Sequence, residues 1–200
     1  MHAAWKVLVP AALVFSLACQ PRAAAPVYGP WEEGLTLAFE DPSLPQPQRS
    51  QDRLQVRVAR SSVSPGAPRL VQLDLTSLRG QLSFVARHQG GGITLLGEDG
   101  RPLAQTLPPG FPETAAWEDR GTQFRVIGRA AWDGAAILPA TAATVGVWVE
   151  ARPLQGPRHR TLYLPNLGEV ESQEERAGTW VIVNRLVARG FVDLPTSPRP

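Results

Sequence analysis

LQVRV, residues 54–58, decides the fold class. Leu54, Val56 and Val58 alternate with Gln55 and Arg57, a period of two that puts apolar side chains on one face of an extended strand. The same period runs outward in both directions. Val71, Leu73 and Leu75 alternate with Gln72 and Asp74, and Leu82, Phe84 and Ala86 share a face opposite Ser83 and Arg87. Phe124, Val126 and Gly128 oppose Gln123 and Arg125, and Val145, Val147 and Val149 oppose Gly146, Trp148 and Glu150. Leu35–Glu40, Ile93–Leu96, Leu103–Leu107 and Arg160–Leu164 carry weaker versions. Thr179–Val183 (TWVIV) is apolar at every position but the first, which predicts a central strand covered on both faces.

The chain between these runs is punctuated for turns. It has 20 prolines and 18 glycines, most of the prolines lying between apolar runs. Gly97-Glu98-Asp99-Gly100 reads as a hairpin turn, and Asp133-Gly134 as a second turn signal. No stretch predicts a helix of standard length; Gly168–Gly178 (GEVESQEERAG) reads as an acidic loop or a helical turn or two. About eight to ten short strands predict an all-β protein, an antiparallel β-sandwich of Ig-like architecture over residues 31–194. Two small β domains meeting near Pro153–Pro157 are the alternative. Residues 20–30 (QPRAAAPVYGP) read as a Pro/Ala-rich tether and residues 195–200 as a frayed tail.

The first twenty residues form a separate unit. Lys6 follows the start, Val7–Ala18 is an apolar run of twelve, and Cys19, the only cysteine, comes directly after. That is the layout of a secretory signal, 1–18, too short to cross a bilayer core that needs about 20 residues. Phe15, Ser16, Leu17, Ala18 and Cys19 resemble the lipobox of bacterial lipoproteins, with Ser16 where that pattern prefers an aliphatic residue. The resemblance implies cleavage before Cys19, lipid on its thiol and amine, and membrane attachment in the cell envelope. Gln20, a non-acidic follower, implies transfer to the outer membrane where a cell has two. Acyl chains at ~0.8 kcal/mol per buried methylene would make that attachment effectively permanent.

Cleavage there leaves 182 residues with 19 Arg, 18 acids and no lysine, a formal charge of +1. Lysine Schiff-base and general-base chemistry are therefore unavailable to the mature chain. The arginines are dispersed, which argues against a nucleic-acid surface.

Catalytic patterns are absent from the sequence. His88 and His159 lack metal-ligand spacing and read as surface histidines; no cofactor or metal is expected. Gly90-Gly91-Gly92 precedes a strand rather than a helix, so it reads as a flexible turn, not a phosphate cradle. Five acidic doublets read as solvated turns, with a calcium site at Glu98 and Asp99 as the alternative. No serine sits in a nucleophile elbow. The aromatic residues are the better lead: Trp148, opposite three valines and beside Gly146, would make a platform for a sugar ring. Trp117 at a rim, with Arg125 and Arg129 as hydrogen-bond donors, would complete such a site.

The leading expectation is a lipid-anchored, non-catalytic interaction or structural module of the cell envelope, with a protein partner. A carbohydrate-binding module using Trp148 is the alternative, and a hydrolase of envelope polymers the third reading.

Overall fold

The computed structural model describes residues 26–140 and 142–191, so the signal region, Cys19 and the tail at 195–200 lie outside the described residues. Among the described residues, twelve strands form one antiparallel sheet. They are β1 (Leu35–Glu40), β2 (Leu54–Ser62), β3 (Arg69–Ser77), β4 (Gly80–Gln89), β5 (Gly92–Leu96) and β6 (Pro102–Leu107). The second half is β7 (Ala116–Asp119), β8 (Thr122–Ala131), β9 (Val145–Arg152), β10 (His159–Leu164), β11 (Gly168–Arg176) and β12 (Thr179–Phe191). A single four-residue helix, Gln48–Gln51, and a 3-10 turn, Ala135–Ile137, complete the described elements.

The alternating runs become strands as expected, and Gly97–Arg101 closes the β5–β6 hairpin through Gly97 N–H to Arg101 O at 2.8 Å. The architecture differs from the expected Ig-like sandwich. The strand order is β6-β5-β4-β3-β2-β1-β12-β11-β10-β9-β8-β7: each strand pairs with its sequence neighbour, and β12 returns to pair with β1. No connection crosses between two stacked sheets. Two six-stranded meanders are instead joined edge to edge into one nearly closed, barrel-like sheet, which removes most of the exposed strand edges. The open seam lies between β6 and β7, where the Asp119 carboxylate accepts the Gln105 backbone N–H at 3.1 Å.

Three local readings are corrected. Gly168–Arg176 is strand β11, not an acidic loop or helical turn. Its carboxylates meet arginines on neighbouring strands, Glu175 with Arg158 at 2.5 Å and Glu171 with Arg185 at 3.6 Å, and that pairing makes an acidic strand tolerable. Glu118-Asp119, one of the acidic doublets read as solvated turns, instead ends strand β7 (Ala116–Asp119). Residues 26–30, assigned to the tether, pack on the barrel: Tyr28 is buried and meets Phe111 edge to face, ring centroids 4.8 Å apart.

Side chains facing the interior include Leu35, Leu37 and Phe39 of β1, Val58 of β2, Val71 and Leu73 of β3, and Val147 and Val149 of β9, all buried. The two ends of the barrel are not alike. At one end the chain enters: Asn166 N–H bonds Val27 O at 2.6 Å, Trp31 Nε1 donates to Asn166 Oδ1 at 3.1 Å, and Phe111 fills the centre. Gly91 allows the close approach of Phe111; its φ is +81°, and a Cβ there would stand 2.6 Å from the Phe111 carbonyl oxygen. At the other end the same inward faces reach solvent. Leu54, Leu75, Phe84 and Leu95 are only half-buried, and Leu82, paired with Leu75, is 69% exposed.

Candidate functional site

Between the closed end and that open end lies a cavity of about 250 Å³. Strands β1 to β5 line one side with the apolar side chains that their alternation turns inward, among them Leu37, Phe39, Val56, Leu73, Phe84 and Leu95. Tyr163, Glu169 and Asn184, on β10, β11 and β12, line the other. The cavity thus has an apolar wall and a polar wall.

Two β-bulges build the polar wall. Leu162 pairs with Glu171 but Tyr163 pairs with Glu169, leaving Val170 as an extra residue. That shift turns Glu169 to the same inner face as Tyr163, whereas Glu171, two residues on, lies on the outer face with Leu162. A second shift, with Ser172 opposite Asn184 and Gln173 opposite Ile182, leaves Val183 extra. Glu169 Oε1 accepts from Asn184 Nδ2 at 2.8 Å and from Ser172 Oγ at 2.8 Å, and Ser172 Oγ lies 3.0 Å from Thr161 Oγ1. Burial first, then the Glu169 charge, pushes the Tyr163 phenol well above its ordinary value, against a smaller opposing effect of its hydrogen bond with Thr161. The phenol therefore stays protonated and can donate. Glu169 has only neutral hydrogen-bond partners here and forms no ion pair among the described residues.

His88 also borders the cavity, beneath Gly29 and beside Ile93. The surface reading of His88 is corrected: it is buried, its Nδ1 has no hydrogen-bond partner, and burial and then nearby Arg69 lower its pKa to about 4. The ring is neutral at pH 7. The signal was present in the sequence, because Leu82, Phe84, Ala86 and His88 continue one period-two series, as the β3–β4 register shows. His159 stays on β10 opposite Ala151 and Glu174.

The residues singled out from the sequence fall on both faces of the sheet. Trp148 and Arg125 share the outer face. The Arg160 guanidinium lies over the Trp148 ring at 5.1 Å and over Trp180 at 4.6 Å, and Arg125 Nη2 lies 3.6 Å from Glu150. Trp117 faces inward, stacked on Phe124 at 5.1 Å and edge-on to Phe111. Arg129, expected beside Arg125, lies on the other face. Val126 pairs with Val149 and Gly128 with Trp148, so the extra residue Ile127 reverses the parity and sets Arg129 opposite inward-facing Val147. The four residues are not brought together. Glu98 and Asp99 occupy the β5–β6 turn, where Asp99 Oδ1 accepts the Arg101 N–H at 3.0 Å. Among the described residues no group of three or more His, Cys, Asp or Glu side chains converges as a metal site.

Glu169, Tyr163 and Asn184 were missed in the sequence. Asn184 alone left a trace, as the first polar residue to interrupt the apolar run Trp180–Val183.

No protein-family model matches the chain, and no curated protein matches it. Among solved structures, it is similar to a protein from Bacteroides fragilis, proposed to be exported and with a YmcC-like fold. The identity is 13%, the TM-score 0.49, and the match covers 83% of this chain and 100% of that one. It is also similar to a proposed lipoprotein from Parabacteroides distasonis, at 12% identity and TM-score 0.47, over 82% of this chain and 99% of that one.

Proposed function

We propose that this is a lipid-anchored, non-catalytic binding protein of the cell envelope, and that the barrel cavity is its binding site. One observation carries the reading. The inward strand faces run from fully buried at Leu35 and Val71 to half-buried at Leu75 and Leu95, so the barrel holds an apolar recess that reaches solvent at one end. A concave apolar site with a few converging polar groups is the usual form of a small-molecule site. The chain enters at the opposite, closed end through Pro26–Trp31. An anchor on Cys19 therefore sets that end toward the membrane and turns the mouth away from it, where a ligand or an envelope partner can reach it.

The test is binding of a neutral apolar fluorophore, phenylnaphthylamine, to the full chain carrying Cys19→Ser, compared with the same chain carrying Ala86→Leu. Ala86 is buried and borders the cavity, so the larger side chain takes up cavity volume. Saturable binding that Ala86→Leu weakens supports the reading. No saturable binding, or binding untouched by Ala86→Leu in a folded protein, overturns it. Anchoring is tested separately by whether the wild-type chain, but not Cys19→Ser, fractionates with membranes.

A further inference from the structure

Resting on that reading of the cavity, we infer that its ligand is a short aliphatic molecule whose polar end is a hydrogen-bond donor, an ammonium ahead of a hydroxyl, held by Glu169. Apart from His88 on β4 and Thr106 on β6, the polar lining groups are segregated from the apolar ones. Leu37, Phe39, Val56, Leu73, Phe84 and Leu95 offer no polar atom to a ligand, so an aliphatic body lies there. At roughly 30 Å³ per water-sized group, a volume of about 250 Å³ takes about eight such groups, the size of an octyl chain.

The opposite wall selects the other end of the ligand. Glu169 receives the Asn184 and Ser172 donors on the same oxygen, Oε1. On the outer face the acids are treated differently: Glu150 meets Arg152 and Arg125, Glu171 meets Arg185, and Glu175 meets Arg158. The carboxylate that a bulge turns into the cavity has no such cation among the described residues. A cationic or donor end group supplies what the outer-face carboxylates already have. A carboxylate-headed chain would instead bring like charge against Glu169 in a low-dielectric recess. Tyr163, protonated and on the same row, can accept from an ammonium through its phenol oxygen or donate to a hydroxyl lone pair, and so position that end.

Octylamine, octanol and octanoate are titrated as competitors of phenylnaphthylamine bound to the full chain carrying Cys19→Ser. Octylamine is expected to displace the dye at concentrations at least about tenfold below octanoate, with octanol between them. Glu169→Gln keeps an oxygen acceptor for Asn184 and Ser172 and removes the charge, so it should erase most of the octylamine preference while dye binding persists. Equal competition by octanoate and octylamine in the wild type overturns the head-group assignment and leaves the cavity reading standing. A preference unchanged by Glu169→Gln also overturns it. Absence of dye binding in the wild type overturns the cavity reading itself.

Discussion

The Asp119 carboxylate accepts the Gln105 N–H at 3.1 Å across the seam between β6 and β7, two strand edges that share no backbone ladder. Every other neighbouring pair in the sheet is joined by backbone pairing. One side chain thus bridges these two edges where no backbone rung does.

Asp119→Ala should loosen that seam selectively. Loss of a hydrogen bond to a charged group costs about 1.5–3 kcal/mol. The expected signature is faster amide exchange at Gln105, with little change in the β1–β12 amides, read by hydrogen exchange. Uniform protection loss across the barrel would argue against a local role for the bond.

His88 should make the protein acid-sensitive. Its folded pKa is lowered from 6.5 to about 4, so the unfolded chain binds the proton first as pH falls. Stability is full above about pH 6.5 and declines down to about pH 4, by roughly 3 kcal/mol at ~1.4 kcal/mol per unit. Arg69, beside it on β3, opposes protonation in the same direction. Urea unfolding of wild type and His88→Gln at pH 7 and pH 4.5 checks this: the substitution should remove most of the difference between the two pH values.

Gly91→Ala and Gly66→Ala should separate backbone strain from collision. Both residues have positive φ, +81° and +75°, but only a Cβ at Gly91 meets backbone, at 2.6 Å; Gly66 faces open space. Gly66→Ala should cost about 1 kcal/mol and Gly91→Ala clearly more. Thermal unfolding of the two variants checks the order.

Phe111→Ala should be among the most damaging single changes. Phe111 is 1% exposed and makes edge-to-face contacts with Tyr28, Trp117 and Tyr163 at the closed end. The expected loss is about 3–5 kcal/mol. Denaturant unfolding measures it, and a loss below 1 kcal/mol would mean that the end plug is not part of the cooperative core.

Much of the strand content was legible from alternation alone. Leu54–Val58, Val71–Leu75 and Val145–Val149 sit in strands, with the inward faces that their period assigned. The GEDG turn was equally plain, because its glycines and acids are turn chemistry wherever they occur. β11 was not legible. Glu171 and Glu175 look like solvated loop until Arg185 and Arg158, on the neighbouring strands, are placed beside them.

What the chain determines by itself, then, is a period of two, the turns between strands and the charge on each residue, because these depend on near neighbours. Tertiary structure alone decided that β1 meets β12 and that the meanders join into one barrel-like sheet rather than two stacked sheets. It also decided the site. Alternation assigns a face only until an extra residue enters the ladder, and Ile127 and Val170 each reverse it, moving Arg129 and Glu169 to the inner face. Whether a bulge forms depends on the partner strand's register, which local sequence does not specify.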